Sequence, residues 1–171
     1  MTVSANLHAP LGPEPGSWIA TRRVVISGSM TFFGEMRRTA ERLASDFVKS
    51  TVPVSEELLP ATMSAEQYDA FKRDASFRHI RRIRDPRTFA LLALNFDKHD
   101  IRDYIGPSTF AEIAVAAVSG KRIYLIGDYP EVYAEELATW GVIRLYGRLA
   151  PLIRDYSQEC MKPSPQLRLF A

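Results

Sequence analysis

The chain is predicted to fold as a doubly wound, mainly parallel five-stranded α/β sheet of flavodoxin-like kind, with helices on both faces. Two observations carry that expectation. Strand-length apolar runs alternate with helical patterns, as in Phe89-Ala90-Leu91-Leu92-Ala93-Leu94 and Arg122-Ile123-Tyr124-Leu125-Ile126 with an apolar helix between them. The first apolar run, Arg23-Val24-Val25-Ile26-Ser27, ends in a glycine-containing turn that leads into a helix, the usual opening of an open α/β sheet.

The elements are expected in this order. After the first strand and the turn Gly28-Ser29-Met30, a helix runs through Glu35, Met36, Ala40, Leu43, Ala44 and Phe47. Thr51-Val52-Pro53-Val54 is a short edge strand, because Pro53 cannot donate to a central ladder. Residues 55–75 are polar and carry a helix through Glu66, Tyr68, Phe71 and Lys72. The run 78–87 is rich in arginine; Ile80 and Ile83 at i, i+3 make it the edge of an amphipathic helix with a solvated basic face, or a grip for a phosphate. The central strand, helix and strand follow. Glu131 to Thr139 is a short helix, Val142 to Leu145 a fifth strand, and Gly147 to Tyr156 the last helix. Residues 1–20, with Pro10, Gly12, Pro13, Pro15 and Gly16, form an irregular arm. The α/β domain occupies residues 21–156, and residues 157–171 are a tail ending in apolar Leu167, Leu169 and Phe170.

Composition narrows the function. With 171 residues, 46% of them hydrophobic, the chain can bury a core of its own. A formal net charge of +2 is too small to imply binding of a nucleic acid polymer by bulk electrostatics. The single cysteine, Cys160, gives no disulfide framework and fits a reducing compartment. No apolar run reaches the roughly 18 residues of a membrane span, and the first residues do not read as a secretory signal. A cytoplasmic protein without membrane partners is expected. His8, His79 and His99 are scattered, so no metal site is expected, and neither a Walker loop nor G-x-G-x-x-G is present.

The stretch Tyr104-Ile105-Gly106-Pro107-Ser108-Thr109-Phe110-Ala111-Glu112-Ile113 holds the candidate chemistry. Gly106-Pro107 signals a turn, and Thr109-x-x-Glu112 has the spacing of a capping box, which sets Glu112 in the first turn of the helix. There the helix dipole would favour the ionised carboxylate, which could act as the nucleophile of a glycosyl transfer or only cap its own helix. Asn95, ending the strand before it, is a further polar group at the point where open α/β sheets bind ligands. The turn amides around Gly28 could meet an anion or serve a tight turn alone.

Ile26-Ser27-Gly28-Ser29-Met30, Leu94-Asn95-Phe96-Asp97, Tyr104-Ile105-Gly106-x-Ser108-Thr109-x-x-Glu112-Ile113 and Gly120-Lys121-x-Ile123-Tyr124-Leu125 together resemble the nucleoside 2-deoxyribosyltransferase-like superfamily, over residues of about 23 to 150. The resemblance implies that Glu112 takes the sugar from the base. It implies that Gly106, Ser108 and Thr109 line the sugar or its 5′ phosphate, and that Ser27, Gly28, Ser29 and Met30 close the other side of the pocket. His79 is the nearest candidate for handling the base. An aspartate common before the third strand of members is replaced here by Phe89. Implied outcomes are hydrolysis of a nucleoside or nucleoside 5′-monophosphate, transfer of its sugar to a second base, or a non-catalytic nucleotide-binding module. No cofactor is called for. A homodimer or higher homo-oligomer is implied, in which the apolar C-terminal end could close a neighbour's pocket.

Overall fold

The computed structural model describes residues 22–55 and 62–161. The N-terminal arm and the apolar C-terminal end lie outside them. Five parallel strands, β1 (Arg23–Gly28), β2 (Ser50–Thr51), β3 (Thr88–Leu94), β4 (Arg122–Leu125) and β5 (Ile143–Arg144), form one sheet in the order β2-β1-β3-β4-β5. The helices are α1 (Phe33–Ser45), α2 (Ala65–Arg84), α3 (Pro107–Val118), α4 (Ala134–Thr139) and α5 (Ala150–Met161). The doubly wound sheet expected from the alternation is the one observed.

Side-chain alternation along the strands sorts the core into two layers. Val24 and Ile26 of β1, Leu92 and Leu94 of β3 and Tyr124 of β4 pack with Met36 and Leu43 of α1 and Leu152 and Tyr156 of α5. On the opposite face, Val25, Leu91, Ala93, Ile123 and Leu125 pack with Ile83 of α2, Ile113 and Ala116 of α3, and Leu137 of α4. All seven residues of β3 are buried, as a central parallel strand requires. Ser27 shares the parity of Val25, so it faces α2 and α3. That single fact of register places it at the site described below.

Several elements differ from expectation. The helix after β1 is preceded by one 3-10 turn, Met30–Phe32, and ends at Ser45. Phe47 lies past it at φ 59° and is 92% exposed, and Val48 takes the core position. The edge strand is Ser50–Thr51, one residue earlier than expected and ending before Pro53. The two helical patterns at 55–75 and 78–87 are one helix, α2. It is opened by a capping box in which Ser64 Oγ accepts from the Gln67 amide and Gln67 returns the bond. Its arginines form a solvated face: Arg78 pairs with Asp74, and Arg81 and Arg84 are exposed. The last helix runs five residues beyond Tyr156, to Met161, with Cys160 partly buried against the core.

Candidate active site

A cleft of about 330 Å³ opens at the carboxyl ends of β1 and β3, where the strand order reverses. This is the position at which open parallel sheets bind ligands. Its walls come from four segments. The turn after β1 gives Gly28, Ser29 and Met30, and the chain after β2 gives Pro53 and Val54. One face of α2 gives Phe71, Lys72, Ala75, Ser76 and His79, and the approach to α3 gives Tyr104, Gly106, Pro107, Ser108, Thr109 and Glu112. Eight residues singled out in the sequence therefore meet in one cavity: Gly28, Ser29, Met30, His79, Gly106, Ser108, Thr109 and Glu112.

Gly28 is fixed by space. A Cβ there would stand 2.9 Å from the Leu94 carbonyl oxygen and 3.0 Å from Met36 Cε, so β1 and β3 could not approach as they do.

The start of α3 differs from the capping-box reading. Gly106 is the N-cap, Pro107 occupies the first helical position, and no side chain caps the end. Thr109 is buried at the third helical position, and no acidic residue falls in the first turn. Glu112 lies one turn further in, so the open amides at the helix start do not hold its charge. Burial dominates instead. Its carboxyl pKa is raised from the ordinary 4.5 to about 7 by loss of solvent, with a hydrogen bond from Ser27 pulling only partly the other way. The expectation of a carboxylate stabilised by the dipole is corrected to one held near neutrality by desolvation.

Ser27 is fully buried and does not line the cleft. It sits behind Glu112, with its Oγ 2.9 Å from His79 Nε2. His79 Nε2 lies 3.8 Å from Glu112 Oε2, a separation at which a charged pair would attract if both groups were ionised. They are not ionised together. Burial, then the nearby Arg82 charge, lowers the His79 pKa from 6.5 to about 4, so the imidazole is neutral wherever Glu112 carries charge. His79 Nδ1 is buried without a hydrogen-bond partner.

Asn95 is not brought to the cleft. Its Nδ2 donates to the Asp128 carbonyl at 2.7 Å and to the Asp103 carbonyl at 3.3 Å, and its Oδ1 accepts from the Gly127 amide at 2.8 Å. Those bonds tie the loop after β3 to the loop after β4. Asp103 Oδ1 accepts from the Asp128 amide at 2.9 Å, and Asp103 N donates to Asp97 Oδ1 at 2.9 Å. The aspartates of the loop after β3 thus help to hold the segment that delivers Tyr104 and Gly106.

Sequence reasoning missed Lys72, Phe71 and Ala75 as cleft residues. The signal was present: 72, 75, 76 and 79 follow the i, i+3, i+4, i+7 pattern and lie on one face of a helix. It was hidden by dividing α2 in two. It also missed Lys98, whose Nζ donates to Ser29 Oγ at 2.9 Å and lies 5.0 Å from the centre of the Tyr104 ring. Lys72 lines the cleft and Lys98 bonds to its Ser29, while the arginines of 78–87 do not line it and Arg82 acts on His79 through its charge.

The fold and cleft define an open α/β protein with a ligand-sized cavity at its topological switch point. No family model and no curated protein matches the chain. Among the described residues, no helix is long and apolar enough to cross a membrane.

Proposed function

We propose that the protein cleaves the N-glycosidic bond of a nucleoside or nucleoside 5′-monophosphate, with Glu112 as nucleophile and water as final acceptor of the sugar. The observation that carries this reading is the placement of Glu112. It is a largely buried carboxyl with a pKa raised to about 7, on the wall of a switch-point cleft. A carboxylate stripped of water is a stronger nucleophile than a solvated one, and its ionised form is stabilised by the positive charge that develops at an anomeric carbon. Attack forms a glycosyl ester on Glu112 and releases the base. Water then takes the sugar and restores the carboxylate.

The cleft's composition suits such a substrate. Pro53, Val54, Phe71, Ala75 and Met30 offer apolar surface for a planar base. Ser29, Ser108 and Lys72 offer donors for a sugar or its phosphate. Base release from ribo- and deoxyribonucleosides and their 5′-monophosphates, by the wild type and by Glu112→Gln, tests the reading. Release that needs no second base and is lost in the variant supports hydrolysis. Release only with a second free base would make the protein a transferase, and binding without turnover in both proteins would make it a nucleotide-binding module.

A further inference from the structure

Lys98 touches the cleft wall at two points without lining the cleft itself. Its Nζ donates to Ser29 Oγ at 2.9 Å and stands 5.0 Å from the centre of the Tyr104 ring. One ammonium therefore links the turn after β1 to the approach to α3. It pairs with no carboxylate among the described residues. The carboxylates of Asp97 and Asp103, in the same loop, accept from backbone amides instead.

The backbone that carries this lysine is strained. Lys98 and Ile101 exchange backbone hydrogen bonds at 2.9 and 3.0 Å, and the two residues between them, His99 and Asp100, are both left-handed, at φ 51° and 61°. Such a turn ordinarily takes Asn-Gly or Gly-Gly, and side chains at both positions are unfavourable. Asn95 and Asp103 hold the loop in place by bonds to Gly127 and Asp128.

An ammonium can only donate, so Ser29 Oγ accepts from Lys98 and its own proton is left to give elsewhere. Within the chain its acceptor is Thr31 Oγ1, through an exposed contact of 3.3 Å. That is longer than the usual O–H···O bond of about 2.7–2.8 Å. A ligand oxygen in the cleft can take that proton over a shorter bond, with the Lys98 charge behind the hydroxyl to strengthen it. The acceptor that gains most from such a donor is an anion. On the α3 side of the same cleft, Ser108 offers a second hydroxyl.

We propose that Lys98, acting through Ser29, makes the cleft selective for a nucleoside 5′-monophosphate over the free nucleoside. Lys98 is a positioning residue. It turns the Ser29 hydroxyl into a donor and supplies uncompensated positive charge beside the phosphate. The inference rests on the reading of the cleft as a nucleoside site, but it concerns binding and not the step at Glu112.

The test is calorimetric binding of paired nucleosides and nucleoside 5′-monophosphates to the full chain, in the Glu112→Gln background so that no substrate is consumed. At least one monophosphate should bind about tenfold or more tighter than its nucleoside. Lys98→Met should reduce that ratio to about threefold or less, while the nucleoside's own affinity stays within about threefold. Ser29→Ala should do the same, and the double variant should lose no more than either alone. Lys98→Arg, which keeps the charge and a donor, should recover most of the ratio. Equal affinity for the two forms would overturn the proposal, as would a ratio unchanged by Lys98→Met or losses that add in the double variant. If circular dichroism shows that Lys98→Met does not fold, Lys98→Gln removes the charge and keeps a donor, and the same loss is expected. Turnover without a phosphate preference would overturn this inference and keep the glycosidase reading. A phosphate preference without base release would do the reverse.

Discussion

His79 Nε2 stands 3.8 Å from Glu112 Oε2, yet the two groups do not form an ion pair, because burial raises the acid to about 7 and lowers the imidazole to about 4. The pair therefore opposes itself in the pH dependence of stability. Between pH 4.5 and 7 the folded protein binds more protons at Glu112 than the unfolded chain does, so the Glu112 contribution falls as pH rises. Between pH 4 and 6.5 the unfolded chain binds more protons at His79, so that contribution rises. Across the shared window the two slopes offset each other.

Glu112→Gln removes one slope and exposes the other. Its stability relative to wild type should be near zero below about pH 4.5, grow to about pH 7, and stay level above, at no more than about 3 kcal/mol in favour of the variant. Urea denaturation at three pH values measures it. A gap that is largest in acid would mean that Glu112 is not held protonated by burial.

Activity of the proposed kind should follow the same group. The acid limb of kcat/KM should fall near pH 7, since the attacking carboxylate must be ionised. A limb below about pH 5 would indicate an ordinary solvated carboxylate. Ser27→Ala should move the limb upward, because the hydrogen bond that favours the charged form is gone.

Asn95→Ala should act on stability and loop position. The substitution leaves the Gly127 amide and the Asp103 and Asp128 carbonyls without their side-chain partner, a loss of about 1–3 kcal/mol if they stay buried. Denaturant midpoints should report it, while the Glu112 titration midpoint should remain within a few tenths of a unit of wild type. A large shift of that midpoint would place Asn95 in the cleft's electrostatics after all.

Two glycines make a matched comparison. At Gly28 a Cβ meets Leu94 O at 2.9 Å, and β1 and β3 would have to part, so Gly28→Ala should destabilise by about 1–3 kcal/mol. Gly34, near the start of α1, meets only the end of the flexible Arg38 side chain, at 3.7 Å. Gly34→Ala should be neutral or stabilising by about 0.5–1 kcal/mol. Thermal denaturation of both variants checks the pair, and equal effects would contradict the packing described at Gly28.

The sheet was legible because β3 and β4 are continuous apolar runs and because the Gly28 turn marks the passage from β1 to α1. The cleft was legible where its residues sit in local motifs. The environment of Glu112 was not. Thr109-x-x-Glu112 has the spacing of a cap, but Pro107 at the first helical position moves the start of α3 and leaves Glu112 a turn inside. Its partners come from far away in the chain: Ser27 and His79 are 52 residues apart, and Lys98 reaches Ser29 across 69. Burial and the approach of His79 to both Ser27 and Glu112 are properties of the assembled layers, and no local pattern encodes them.

The most direct measurement is base release by wild type and Glu112→Gln across nucleosides and nucleoside 5′-monophosphates, with circular dichroism to confirm that both are folded. A nucleophilic Glu112 predicts release from at least one member by the wild type and none by the variant. Release that survives the substitution, or no release from any member by the folded wild type, would contradict it.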